Sequence, residues 1–393
     1  MPTPDRDGPL ADLLVLDLTR ALAGPQAAMM LADQGARVIK IEAPAGDDTR
    51  GWGPPFVGPD DARESTYFLC ANRNKESLVL DLKDPPDSDV LARLIARADV
   101  LMENFRVGVL ARLGFSEQRM HELNPRLIIL QITGFGHDGP QATRAGYDQI
   151  AQGEGGLMSL TGSDHPTKVG VPIADLVAGM NGAFGVLAAL HERETTGVGK
   201  VVHTSLLAGM IGVHAFQGTR WTVAGEVPGL AGDHHPAIAP YGLFTTQTAP
   251  IQIACGSENL WRTMCTAFGW DPTEPGLSSN SERVANRDAL IAKLEGLFAA
   301  APAEHWLDVL AAAGVPSGKV RTLDDVYSWD QALSQGLLLD VEHPTLGPLQ
   351  LPGSPLRYDD NAHSGGRTHH QAPPTLGQHN DEIRAWLEAD AQK

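Results

Sequence analysis

Five short, nearly unbroken apolar runs punctuate the first third of this chain: LLVLDL (13–18), RVIKIE (37–42), SLVLDL (77–82), DVLMENF (99–105) and LIILQIT (127–133). None alternates apolar with polar residues as a half-exposed strand does, so each predicts a strand covered on both faces. Helical stretches separate them, GPQAAMMLADQG (24–35) with Pro25 near its first turn, then segments around 87–97 and 116–123. Buried strands alternating with helices pair in parallel under two helical layers, so the pattern predicts an α/β fold.

A chain of 393 residues exceeds one ordinary core, so two domains are expected. LVAGMNGAFGVLAALHERE (176–194) predicts a long helix, apolar nearly all round, whose small residues permit close packing inside the protein; TTGVGKVV (195–202) stops it and enters another strand. Composition shifts to Gly, Pro and His near 225–240, a predicted linker. LFTTQTAPIQIACG (243–256) then opens a smaller domain as a hairpin, with helices at 258–268, 282–300 and 302–313. Near GVPSGKV (314–320) the chain turns back. The expected division is residues 1–224 for the large domain, 225–325 for the small one, and 326–393 for the return and tail, polar from 361 and ending in a helix over 380–390.

A formal charge of −18 repels a polyanion, which argues against nucleic acid as a partner. Cys70, Cys255 and Cys265 are odd in number and lack metal-ligand spacing, as in a reduced intracellular protein. MPTPDRDGPL has no apolar signal core, and no uninterrupted apolar run reaches membrane-spanning length, so a cytoplasmic protein without a membrane partner is expected. Familiar cofactor motifs fail by single residues. HERET (191–195) has Thr195 where a zinc-protease helix needs its second His, GEGGLM (153–158) breaks the dinucleotide spacing at Met158, and VGKV (198–201) lacks the Ser or Thr of a P-loop. No G-x-S-x-G elbow occurs. The pairs His234–His235 and His369–His370 sit in loop-like segments without further ligands, so no metal and no permanently bound cofactor are expected.

VGVPIADLVAG (169–179) places one carboxylate, Asp175, in an apolar run with no Lys, Arg or His in the four residues after it. Locally, two readings stand. Asp175 is the N-cap of the helix that follows, or it is a nucleophile left bare so that it can attack.

Beyond single residues, the chain resembles the family III CoA-transferases, which include formyl-CoA transferase, carnitine CoA-transferase and the alpha-methylacyl-CoA racemases. The resemblance rests on VLDLTRALAGP (15–25), ADQGARVIKIE (32–42), NRNKESLVLDLK (72–83), ENFRVGVLARLGF (103–115), NPRLIILQITGFG (124–136), AGYDQIAQGEGGLMSLTG (145–162) and VPIADLVAG (171–179). Weaker matches continue at HPAIAPYGLF (235–244), GVPSGKV and EHPTLGPLQLPGSP (342–355). It implies an interlocked homodimer whose Rossmann-like large domain is built from both chain ends, with a smaller α+β domain between. It also implies that Asp175 is the covalent nucleophile. The carboxylate attacks an acyl-CoA thioester to give a mixed anhydride, the CoA thiolate converts this to an aspartyl–CoA thioester, and an acceptor acid reverses the steps.

The resemblance further places CoA contacts at Leu22, Ala23, Leu80, Lys83, Asn104, Phe105, Arg106, Arg112, Tyr147 and Asp148. Lys83, Arg106 and Arg112 suit CoA phosphates as charge partners. One departure stands out: Ala43 occupies the place of a common family arginine, for which Arg37 or Arg73 is an expected substitute. Tyr147 replaces the racemases' histidine, which disfavours epimerisation, and ACGSENLW (254–261) lacks the glycine run of formyl-CoA transferases. GDDTRGWGPPFVG (46–58) and STYFLCANRNK (65–75) are most similar to the succinyl-CoA:dicarboxylate, glutarate-type members. Arg50 in that loop is a candidate clamp for the substrate's distal carboxylate, with a loop-shaping pair to Asp47 or Asp48 as the alternative. The expected activity is CoA transfer from an acyl-CoA such as succinyl-CoA to a small dicarboxylate. The alternatives are an acyl-CoA epimerase and a non-catalytic CoA-binding subunit.

Overall fold

A computed structural model of the chain describes residues 7–358 and 365–390. The start of the N-terminal segment and residues 361–364 of the expected polar tail fall outside them. The described residues divide into two compact units. The first carries the residues up to Leu157, Val169–Ala224 and those from Ser328 onward; the second carries Met158–Lys168 and Gly225–Tyr327.

In the first unit, the five apolar runs and the strand after the long helix form one sheet. Its strands are β1 (Leu14–Asp17), β2 (Arg37–Glu42), β3 (Lys75–Val79), β4 (Val100–Glu103), β5 (Ile128–Thr133) and β6 (Val201–Ser205). All five pairings are parallel, in the order β3-β2-β1-β4-β5-β6. This is the doubly wound Rossmann order, although the glycine fingerprint that usually accompanies it is missing.

Alternate residues feed two cores. Val15, Val38, Val100 and Leu130 pack with alanines of α1 (Ala23–Asp33) and of the long helix, labelled α5 below. Leu16, Ile39, Leu101 and Ile129 pack instead with α2 (Pro85–Ile95), with Met120 of α3 (Glu117–Leu123), and with Ile383 and Leu387 of the C-terminal helix Asn380–Asp390. After β5 come α4 (Asp148–Glu154) and α5 (Ile173–Thr196), and after β6 come α6 (Leu206–Gly212) and α7 (Ala215–Ala224).

By length and composition α5 could cross a membrane, but here it packs on α1, α6 and the sheet as a core helix. Gly179 explains how close it lies to α1, because a Cβ there would stand 2.5 Å from the Ala23 carbonyl oxygen. The helix starts three residues before the predicted Leu176, so Asp175 is inside it. The N-cap reading of Asp175 is thereby corrected: Pro172 occupies the cap position.

The second unit holds a three-stranded antiparallel sheet, β7 (Tyr241–Phe244), β8 (Ile251–Ala254) and β9 (Ser317–Lys319), with β8 in the middle. It packs on α8 (Glu258–Phe268), α9 (Arg287–Phe298) and α10 (Ala303–Ala312) around Trp261, Phe298 and Trp306. Two details differ from the sequence reading. GVPSGKV does not turn away but supplies β9, the third strand of this sheet. The predicted helix 282–300 is broken at Asn286 into Asn280–Ala285 and α9.

Candidate active site

In a doubly wound sheet, the loops leaving the carboxyl ends of two adjacent strands diverge where the winding reverses, and a crevice opens between them. Here that point lies between β1 and β4. Two cavities open there, of about 440 and 230 Å³, and both are lined by Arg20 after β1 and Phe105 after β4.

The β1 loop is held in shape from three sides. Ala21 adopts a left-handed backbone, φ 64°, which is strained for a residue with a Cβ and costs on the order of 1–3 kcal/mol. Asn104 fixes it by a reciprocal pair: the Arg20 N–H donates to Asn104 Oδ1 (2.8 Å), and Asn104 Nδ2 donates to the Arg20 carbonyl (2.7 Å). The Ala21 N–H reaches Asp47 Oδ1 at 3.3 Å. Beneath the loop, Lys40 pairs with Asp47 (2.9 Å) and donates to the Thr19 carbonyl, while Lys75 pairs with Asp17 (2.8 Å); all four charged side chains are buried. A buried pair of this kind holds shape more than it stabilises, but removing one partner strands the other charge, at a cost of roughly 3–5 kcal/mol.

Asp175 lines the larger cavity from the third residue of α5. The first turn of a helix favours negative charge, yet the N–H of Ala174 is already taken. It donates to Asp148 Oδ1 (2.8 Å), so Asp148, on α4, caps α5, and it also accepts from Gln152 Nε2 (2.7 Å). Among the described residues none donates a hydrogen bond to the Asp175 carboxylate. Burial, and then the charge of Asp148, push its carboxyl up from 3.8 to about 7. The two carboxylates are thus sorted by environment: Asp148 is hydrogen-bonded, and Asp175 is bare and held near its ionisation point at neutral pH.

Tyr67 lines the same cavity, with its phenol pushed up to about 12 by burial and then by Asp175, so it stays protonated. Trp52 packs against it edge to face at 5.0 Å. On the wall of the same cavity, Gly134 and Gly146 meet backbone to backbone, since a Cβ on either would come within 2.8 Å of the other's Cα. Larger residues there would push the cavity wall inward.

The sequence-predicted residues separate into three groups. Ala23, Asn104, Phe105, Arg106, Tyr147, Asp148 and Asp175 line the larger cavity, and Leu80, Lys83 and Phe105 line the smaller one. Asn104 is there as a brace, because the hydrogen bonds just described engage both ends of its amide. Leu22 is buried behind the loop, and Arg112 is exposed; neither lines a cavity.

Arg50 requires correction. Its guanidinium is forked onto Glu42 (2.8 and 2.8 Å), reaches the Pro374 carbonyl and stacks on Phe68 at 3.6 Å, and it lines neither cavity. Nor do the expected substitutes for the missing arginine reach them. Arg37 is forked onto Glu76 and lies over Trp386, and Arg73 is buried on Asp33.

The arginine that sequence reasoning missed is Arg20. It borders both cavities, with its guanidinium 5.5 Å from the Phe105 ring and 3.5 Å from Asp48. Its signal was its place immediately after the first strand, where a doubly wound fold meets anionic ligands. Arg106 and Arg144 complete the cationic rim of the larger cavity, Arg144 being paired with Glu154 (2.5 Å). Apolar Ile41, Leu80, Leu82, Val109 and Leu113 wall the smaller cavity, where Lys83 adds a cation. An apolar slot that shares Arg20 and Phe105 with a larger chamber holding a desolvated carboxylate suits a ligand with a flat apolar end, a charged middle and an electrophilic tip.

Known proteins bear on this geometry. Residues 10–380 match the model of CoA-transferase family III. The chain is 40% identical over 362 residues to an acetyl-CoA:oxalate CoA-transferase of Acetobacter aceti, covering 90% of each chain. It is 37% identical over 384 residues to the human succinyl-CoA:glutarate CoA-transferase, covering 95% of this chain and 85% of that one. The crystal structure of a CAIB/BAIF family protein from Brucella suis superposes with a TM-score of 0.86 at 37% identity, over 97% of this chain and 100% of that one.

Proposed function

The chain belongs to CoA-transferase family III and is a CoA-transferase, and from that premise we propose that Asp175 carries CoA between an acyl donor and a small dicarboxylate. The observation that supports this reading is the state of Asp175: a carboxylate at the wall of a cavity, desolvated, without a hydrogen-bond donor, and next to a second carboxylate that does have donors. A weakly solvated carboxylate is a stronger nucleophile than one in water.

In the proposed cycle, an Asp175 oxygen adds to the thioester carbonyl and the C–S bond breaks, leaving a mixed anhydride and CoA thiolate. The thiolate adds to the aspartyl carbonyl, the anhydride C–O bond breaks, and the donor leaves as a carboxylate. The acceptor's carboxylate then attacks the aspartyl–CoA thioester, and the same two exchanges in reverse release the new acyl-CoA and free Asp175. No proton need be moved, which fits a site where the Tyr67 phenol on the cavity wall stays protonated. The first turn of α1, which no side chain caps and whose Ala23 lines the cavity, offers the Ala23 and Gly24 N–H groups for the oxyanion, since Pro25 has none and Gln26 donates to the Leu22 carbonyl.

CoA lies across the two cavities, its adenine in the apolar slot bordered by Leu80 and Leu82 and its phosphates near Arg20 and Lys83. Arg106 and Arg144 are the candidates for the distal carboxylate, in place of Arg50. We favour succinyl-CoA as donor and a short dicarboxylate as acceptor. The similar proteins support the acceptor, since the names of both give a dicarboxylate, oxalate in one and glutarate in the other; for the donor, the name of the glutarate enzyme gives succinyl-CoA and that of the oxalate enzyme acetyl-CoA.

The working enzyme is proposed to be a cytoplasmic homodimer, for which the apolar residues exposed on this single chain, among them Phe184 (74%) on α5 and Val223 (83%) on α7, provide the covering surface. The test is a panel of mono- and dicarboxylic acids incubated with succinyl-CoA or acetyl-CoA, reading each new acyl-CoA by mass. Transfer confined to monocarboxylates would overturn the substrate assignment.

A further inference from the structure

On the other face of the sheet from α1 and α5, the register sets Glu103, Gln131 and His203 side by side on β4, β5 and β6. Glu117, the first residue of α3, and His137, in the loop after β5, join them. One ligand atom from each of Glu117, His137 and His203 lies within 4.8 Å of the others, with the two imidazole rings 4.2 Å apart and His137 Nε2 3.8 Å from Glu117 Oε1. We propose that Glu117, His137 and His203 form a binding site for one divalent transition-metal ion of the zinc type, separate from the Asp175 chemistry.

The donor set decides the class of ion. Two imidazoles and a carboxylate suit zinc, cobalt or nickel, whereas calcium and magnesium take oxygen ligands. Bonds of about 2.0–2.1 Å to a tetrahedral ion hold ligand atoms roughly 3.3–3.4 Å apart, so the three side chains need to close by about an ångström. They are free to do so, since none is fully buried.

A second observation points the same way. Gln131 is only 7% exposed, and its Oε1 is buried without a partner, while its side chain hydrogen-bonds to Glu103. A metal-bound histidine donates its other ring N–H to a neighbouring acceptor. Gln131, paired in register with His203, is an acceptor lacking a donor. The site also has a consequence for the active-site wall. Thr133 and Gly134 line the Asp175 cavity, and His137 follows three residues later, so a bound ion ties that loop to α3 and β6.

The test uses full-length, untagged, chelator-treated protein titrated with Co²⁺ and followed by its visible d–d absorption, with Zn²⁺ added to displace it. The expected result is one equivalent of Co²⁺ per chain, lost on Zn²⁺ addition. His203→Asn and His137→Gln should each weaken binding more than tenfold, and Gln131→Leu should weaken it by about 10–100-fold, as loss of an outer partner does. Changing His234 with His235, or His369 with His370, to alanine should leave the titration unchanged. A wild-type chain with no saturable absorption at one equivalent overturns the proposal, whatever the variants do. So does an unchanged titration in a folded His137→Gln/His203→Asn double variant.

Discussion

Replacing Asp175 by Asn removes a charge from a site that resists it and leaves the shape nearly intact. Its carboxyl is raised from 3.8 to about 7, first by burial and then by Asp148, a shift of about 3 units. At about 1.36 kcal/mol per unit, this amounts to a ceiling of roughly 4 kcal/mol of folding stability given up to keep Asp175 ionised. The sign follows from linkage. Between the unfolded and folded pKa values the native chain binds more protons at Asp175 than the unfolded one, so the wild type loses stability as pH rises through that window and loses no more above it. From pH 5 to pH 8 the window spans about 2 units, or roughly 3 kcal/mol. Asp175→Asn has no such loss, and every other titrating group is common to both proteins. Thermal midpoints of the two proteins at pH 5 and pH 8 give the assay. The variant's advantage should be small at pH 5 and larger by several degrees at pH 8. An equal gap at both pH values, or a less stable variant at pH 8, would refute the claim that this carboxylate is desolvated.

Other consequences are as specific. Asp148→Asn removes the neighbouring charge and keeps an acceptor for the Ala174 N–H, so the acid limb of kcat/KM, expected near pH 7, should move to lower pH but stay above the ordinary carboxylate range, because burial is the larger cause. A pH–rate profile checks it; an unmoved limb contradicts the assignment of that limb to Asp175. Arg20→Ala should raise KM for acyl-CoA about tenfold or more, as loss of a charge-assisted contact does, with little loss of stability. Arg50→Ala should do the reverse. It strands the buried Glu42 carboxylate, costing on the order of 3–5 kcal/mol of stability, without a selective rise in KM for the dicarboxylate. Steady-state kinetics and urea midpoints on the pair separate the two roles.

The sheet was legible because its signal is local. RVIKIE becomes a strand over its whole length, Arg37–Glu42, its Val38, Ile39 and Ile41 buried, and the helix over 380–390 begins and ends where its pattern does. The bounds of α5 were not, because Pro172 starts the helix without a side-chain cap, and the residue that satisfies Ala174 is Asp148, 26 positions earlier in the chain. Sequence patterning cannot see a cap delivered from another helix. Arg50 shows the same limit from the other side: in sequence its loop offers Asp47 and Asp48 as neighbours, while in space Glu42 on β2 accepts from its Nε and Nη2. Motif position placed several residues on the cavity wall, since Phe105, Arg106, Tyr147 and Asp148 all follow strand ends or open helices. It did not find the place of Arg112: the short helix Val109–Arg112 sets Val109 on the wall of the smaller cavity, while Arg112 is exposed and lines neither.

Whether the carboxylate on the first turn of α5 takes up CoA is best decided by mass spectrometry of the protein, quenched within one turnover after mixing with succinyl-CoA. The account predicts a CoA adduct on the peptide containing Asp175, labile to hydroxylamine, discharged by an acceptor dicarboxylate and absent from Asp175→Asn. An adduct on any other residue, or transfer by Asp175→Asn at the wild-type rate, contradicts it.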